Sequence, residues 1–196
     1  MSVPRIGYPD QPVIWQGSYP HGLMSVGRGS AGCAAVGCVV TSVAMALRFL
    51  GVRAGATPMT VQTAGLARLG VWAPGASGCV VPELVRAQKG LTVGVDADGA
   101  GIAAPVDRLS PLILQTLSSG GVALLSVDYD ASVKGGDSIG DHWVCAYAAD
   151  DAWLYLADPA TAKVEKIGRT TLAATVMWGR RRRPYVGARA VTVFRD

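Results

Sequence analysis

Gly37-Cys38-Val39-Val40-Thr41-Ser42-Val43-Ala44-Met45-Ala46-Leu47-Arg48-Phe49-Leu50-Gly51 is the stretch on which the fold turns. Val40, Val43, Ala44, Leu47 and Leu50 recur at steps of three and four, which predicts a helix with one apolar face. Arg48 falls off that face and Gly51 supplies a stop. A cysteine stands where the helix begins. Backbone N–H groups there have no intrahelical partner, and the helix dipole favours negative charge, so the position draws a thiol towards its reactive thiolate. The competing role for Cys38 is that of a small buried hydrophobe, as most free cysteines are.

Before this helix, residues 1–37 are rich in Gly, Pro and Ser, with Tyr8, Trp15 and Tyr19 as aromatic anchors, and read as an extended lead-in. After it, short helices are expected at 60–69 and 81–89, a strand from Leu91 to Val95 and a helix from Val106 to Leu117. Past Ser118-Ser-Gly-Gly the pattern turns to strands: Val122 to Asp128, His142 to Tyr147, Ala152 to Leu156 and Val164 to Ile167. A brief helix at 170–177 and a strand at 185–194 complete the expectation. Helices first and an antiparallel sheet afterwards indicate an α+β class. The expected organisation is a single domain, 1–196, with a mainly helical part at 38–120 and a mainly antiparallel sheet at 121–196.

Half of the 196 residues are apolar and 16% are charged, enough for a sizeable core and too apolar for disorder. No apolar run approaches the roughly 18 residues that a membrane-spanning helix needs. The start, Met1-Ser-Val-Pro-Arg-Ile-Gly-Tyr, lacks a basic segment followed by an apolar one, so the expectation is a protein made in the cytoplasm without a secretory signal. Four cysteines in a chain this long are too few for a disulfide framework and are expected as thiols, a Cys33–Cys38 bridge being the alternative. The net charge of +4 is carried by one run, Arg180 to Arg183, beside Pro184. That run lacks interleaved aromatics, so it suits a solvated turn or a patch that meets phosphates, and no nucleic-acid partner is expected.

Three motifs carry less than they promise. Gly99-Ala-Gly-Ile-Ala-Ala104 matches a dinucleotide fingerprint in letters, but Pro105 follows at once and no second parallel strand with a ribose-binding acid is evident. Asp96-Ala-Asp98-Gly starts like a calcium loop and lacks the closing Glu. Cys33, Cys38, Cys79, His142 and Cys145 could supply a structural zinc, yet neither Cys33-x4-Cys38 nor His142-x2-Cys145 has the C-x2-C spacing of a knuckle. On a strand, His142 and Cys145 would also point to opposite faces. No metal and no cofactor is expected.

Only two histidines are present. His142, in Asp141-His142-Trp143-Val144, leads a predicted strand and could serve as base to Cys38. Sixteen residues on, Asp158-Pro159 ends the next strand, at a separation that allows the carboxylate to orient the imidazole. The ordinary alternative for Asp158 is a turn-initiating Asp-Pro. Gln16, in Val13-Ile-Trp-Gln16-Gly, offers an amide N–H that could join the Cys38 backbone N–H in an oxyanion hole. Alone, such a glutamine would be taken for a surface residue.

The order Gln, then Gly-Cys-x-x-Thr-Ser-x-Ala-Met, then His-Trp-Val, then Asp-Pro resembles the papain-like cysteine peptidases of the bacteriocin-processing-peptidase-like group. It is most similar to their stand-alone members in bacteria and phages, and the motif blocks run from about residue 13 to 160. The resemblance implies a papain-like α+β fold with Cys38 as nucleophile, His142 as base, Asp158 as orienting acid and Gln16 as oxyanion donor. It also implies a peptide, or the peptide part of peptidoglycan, as substrate. A phage protein of this kind would be virion-associated or released by lysis. Leader-processing members have a Cys-Gly pair and a short Gln-to-Cys interval; here Val39 follows the cysteine and 22 residues separate it from Gln16. Cys33 in a second Gly-Cys pair is the rival nucleophile, and His21 the rival base. A catalytically silent binding module on the same scaffold, and a zinc-stabilised domain, are the alternative readings.

Overall fold

The computed structural model describes residues 6–7, 13–18, 23–26, 29–32, 37–69, 81–98, 105–128, 142–178 and 180–196. Tyr8, Tyr19, His21, Cys33, Cys79 and the Gly99–Ala104 motif lie outside the described residues. In chain order the elements are β1 (Ile6–Gly7), a 3-10 turn (Gln16–Ser18), β2 (Leu23–Val26), β3 (Gly29–Gly32), α1 (Cys38–Phe49), α2 (Pro58–Leu69) and α3 (Val81–Arg86). Then come β4 (Leu91–Asp98), α4 (Pro105–Ser118), β5 (Val122–Asp128), β6 (His142–Ala149), β7 (Trp153–Asp158), β8 (Lys163–Gly168), β9 (Ala173–Trp178) and β10 (Arg181–Arg195). The class is α+β.

Helix α1 forms because nearly every side chain on it finds an apolar neighbour. Val40, Val43, Ala44 and Met45 have no exposed surface, while off-stripe Arg48 donates its Nε to the Ala56 carbonyl at 2.7 Å. Gly51 ends the helix as its sequence suggests. At φ 66° it lets Val52 N–H return to the Leu47 carbonyl and its own N–H to that of Arg48, both at 3.0 Å.

Every described strand pairing is antiparallel. The main sheet runs β4-β10-β5-β6-β7-β8, with β1 added beside β6 and β9 beside β10; β2 and β3 form a separate hairpin. Two cores sandwich the sheet. One joins α1 to Leu124, Trp143, Cys145, Tyr155 and Val191. The other sets Leu109, Ile113 and Leu117 of α4, four residues apart on one face, against Leu125, Val127, Val144 and Leu156. The alternation of a strand divides its side chains between the two: Trp143 and Cys145 go to the first, Val144 and Ala146 to the second.

The segment expected as a helix at 170–177 is instead strand β9. Leu172 adopts a left-handed φ of 46°, through which no helix can run, and the ladder from Ala173↔Val186 to Trp178↔Arg181 claims the backbone. The pull of Ala173-Ala174 towards helix is only a few tenths of a kcal/mol per residue, so the pairing decides. The arginine run is likewise strand rather than turn from Arg181 onward, with the side chains of Arg180, Arg181 and Arg182 exposed. Strand β10 starts earlier than expected and bridges β9, β5 and β4.

Leu125 has no exposed surface and sits where α4 meets the sheet. Leu125→Ala should lower the unfolding free energy by about 2–5 kcal/mol in urea titrations, whereas Val95→Ala, at a side chain 47% exposed, should change it by less than about 0.5 kcal/mol.

Candidate active site

The structure brings Cys38, His142 and Asp158 together. Strand register accounts for the second pair. Asp158 lies opposite Val144 when the ladder Cys145↔Ala157 is extended by one place, so His142, two residues from Val144, shares its face as a diagonal neighbour. The His142 Nε2 is 2.8 Å from Asp158 Oδ1. With Nε2 so engaged, Nδ1 is the ring nitrogen left for the hydrogen bond that His142 makes with Cys38.

Extending the same register by two places puts Pro159 opposite Trp143. Proline has no N–H, so it cannot continue the ladder there, and α1 takes over. Ser42 Oγ, one turn after Cys38, donates to the Trp143 carbonyl at 3.0 Å, and the Trp143 N–H donates to the Cys38 sulfur. One residue of β6 thus fixes the helix start beside the histidine that precedes it. The sequence marks Ser42 only by its place four residues from Cys38, on the same helical face.

Gln16 is buried, and its backbone N–H donates to the Pro159 carbonyl at 3.0 Å. Two residues earlier, Ile14 N–H points at Met45 Sδ of α1 at 3.4 Å. The short turn carrying Gln16 is therefore pinned between the cysteine helix and the turn after Asp158, and it is not the surface position its composition suggested. Half-exposed Trp15 stands next to it.

Electrostatics follow from burial and partners. Some surface of Cys38 stays open, while His142 is 3% exposed and Asp158 fully buried. Packing around the thiol alone would raise its pKa. The hydrogen bond and positive charge of His142, with the N–H groups of Trp143 and Val39, outweigh this and leave Cys38 below the ordinary thiol range. For His142, burial alone would favour the neutral ring, but Asp158 and Cys38 together raise its pKa from 6.5 to about 9. Burial would likewise protonate Asp158, and its bonds with His142, Tyr185 and the Ala160 N–H hold it below the usual carboxylate range. The arrangement stabilises thiolate, imidazolium and carboxylate in series.

Tyr185 was not singled out by the sequence. Its hydroxyl donates to Asp158 Oδ2 at 2.7 Å from 27 residues away, on a strand whose partner β9 was expected to be helical. Cys145 lies in the α1-side core, with burial pushing its thiol pKa up, on the sheet face opposite Val144 and His142. Among the described residues no three of His, Cys, Asp and Glu converge as a metal site. Two cavities, of about 580 and 510 Å³, open past the far end of α1 around Arg53, Lys89 and Gly90 or Arg68 and Arg86, and none of Cys38, His142 and Asp158 lines either. No helix among the described residues is long and apolar enough to cross a membrane. No family model matches the chain, and no curated protein matches its sequence.

Cys38 should react with iodoacetamide near pH 6.5, where an ordinary thiol is almost wholly protonated, and peptide mapping will separate it from buried Cys145. In His142→Ala the rate at that pH should fall by about tenfold or more, and reactivity should follow a single ionisation in the ordinary thiol range.

Proposed function

We propose that the protein is a thiol-dependent amide hydrolase with a papain-like arrangement, acting on a peptide or on the peptide part of peptidoglycan. The observation that carries this reading is the contiguous series Cys38–His142–Asp158, with the thiol at a helix start and lowered in pKa, the imidazole raised and the acid buried behind it. A structural cysteine needs none of these features. The motif order Gln16, Cys38, His142, Asp158 supports the same assignment.

In this mechanism the Cys38 thiolate attacks the carbonyl carbon, forming a C–S bond and pushing the π electrons onto oxygen. The Gln16 amide and the Cys38 backbone N–H hold the oxyanion. Collapse breaks the C–N bond as the His142 imidazolium gives its proton to the leaving amine. Neutral His142 then takes a proton from water, whose oxygen attacks the thioester, and the thiolate departs with the acyl group released as acid. Asp158 keeps Nδ1 aimed at the sulfur throughout.

Purified peptidoglycan and a peptide library, each incubated with parent and Cys38→Ala protein, test the reading by mass spectrometry of products. Cleavage by the parent and its loss by about 10³-fold or more in the variant are expected. Turnover should rise as Cys38 loses its proton and fall above about pH 9, where His142 loses the proton the leaving group needs. Silence of the parent on both substrate sets, with Cys38 still alkylated near pH 6.5, would favour a binding module instead.

A further inference from the structure

We propose that Tyr185 is a positioning residue of this site, its hydroxyl locking the Asp158 carboxylate in the orientation that keeps His142 turned towards Cys38. The inference rests on the hydrolase reading for its purpose but on separate contacts for its content. Asp158 Oδ1 already accepts from three groups: His142 Nε2 at 2.8 Å, Ala160 N–H at 2.7 Å and Thr161 N–H at 3.4 Å. Oδ2 accepts from the Tyr185 hydroxyl at 2.7 Å. A carboxylate turns easily about its last torsion, and donors on one oxygen alone leave that turn weakly fixed. A phenol on the other oxygen fixes the plane. Asp158 and Tyr185 are both fully buried, so water has little opportunity to replace that bond.

Strand register explains why β10 can deliver this group. Val186 pairs with Asp128 at the end of β5, and the neighbouring Val127 pairs with His142. Tyr185, next before Val186, therefore stands at the end of the sheet that carries His142, held opposite Ala174 by the β9–β10 hairpin. The Gly187 N–H to Leu172 carbonyl bond, at 2.9 Å, anchors the base of that hairpin. Among the described residues, the titratable or charged groups around Asp158 and His142 include Cys38 from α1 and, from β8, Glu165 and Lys163. Glu165 feels the charge of Asp158, and Lys163 lies opposite Asp158 in register.

The experiment follows His142 by NMR titration in Tyr185→Phe, which keeps the ring and removes the hydroxyl. Thermal unfolding serves as the check that the variant is folded. A looser Asp158 holds the imidazolium less well, so the His142 midpoint should drop from about 9 by roughly one pH unit. The onset of Cys38 alkylation should move up, slowing the reaction at pH 6.5 by roughly threefold. In Asp158→Asn the same Tyr185→Phe change should add no further shift. A folded Tyr185→Phe protein with an unmoved His142 midpoint, or a shift that persists undiminished in Asp158→Asn, overturns the proposal. Should parent Cys38 react only as an ordinary thiol while Tyr185→Phe still lowers the His142 midpoint, the positioning role stands and the hydrolase reading falls.

Discussion

A carboxylate with no surface in water stays charged only if its neighbours replace the water. Asp158 meets that condition through His142, Tyr185 and the N–H groups of the turn that follows it. Much of the site depends on this one buried charge. It holds the proton on His142, and the charged ring in turn draws the Cys38 thiol towards thiolate. Remove the charge and the imidazole, already buried, reverts towards its neutral form, and the thiol loses its cation.

The fold is arranged around the same point. Pro159 ends the β6–β7 ladder next to Asp158 and leaves Trp143 for the cysteine helix, through Ser42 on one side and Cys38 on the other. The Pro159 carbonyl also anchors Gln16. The Asp-Pro dipeptide, whose ordinary meaning is a turn, here sets where the sheet stops and what docks against its end. A helix core on each face of the sheet makes that end rigid, because α1 and α4 leave the central strands little freedom to shift.

What the sequence made legible was local. The α1 stripe, its start at Cys38 and its stop at Gly51 follow from residue spacing and from glycine's access to left-handed φ. His142 opening a strand and Asp158 closing the next are equally local, and alternation on antiparallel strands does the rest. Gln16 was legible only through the motif resemblance, since no local pattern predicts that residue 16 will meet the turn at 159. Tyr185 left no signal, because its role depends on β10 crossing to a place in the sheet fixed by long-range pairing. The β9 helix expectation failed for the same reason: Ala173-Ala174 leans towards helix, and partners ten or more residues away overrode it.

Protonated His142 holds the Cys38 thiol below the ordinary thiol range. Ultraviolet difference absorbance between the parent and Cys38→Ser, followed from acid to alkali, tests it without any substrate. A thiolate band already present at about pH 7 and lost only on acidification is expected. A band that first appears in the ordinary thiol range, with none at neutral pH, would contradict it.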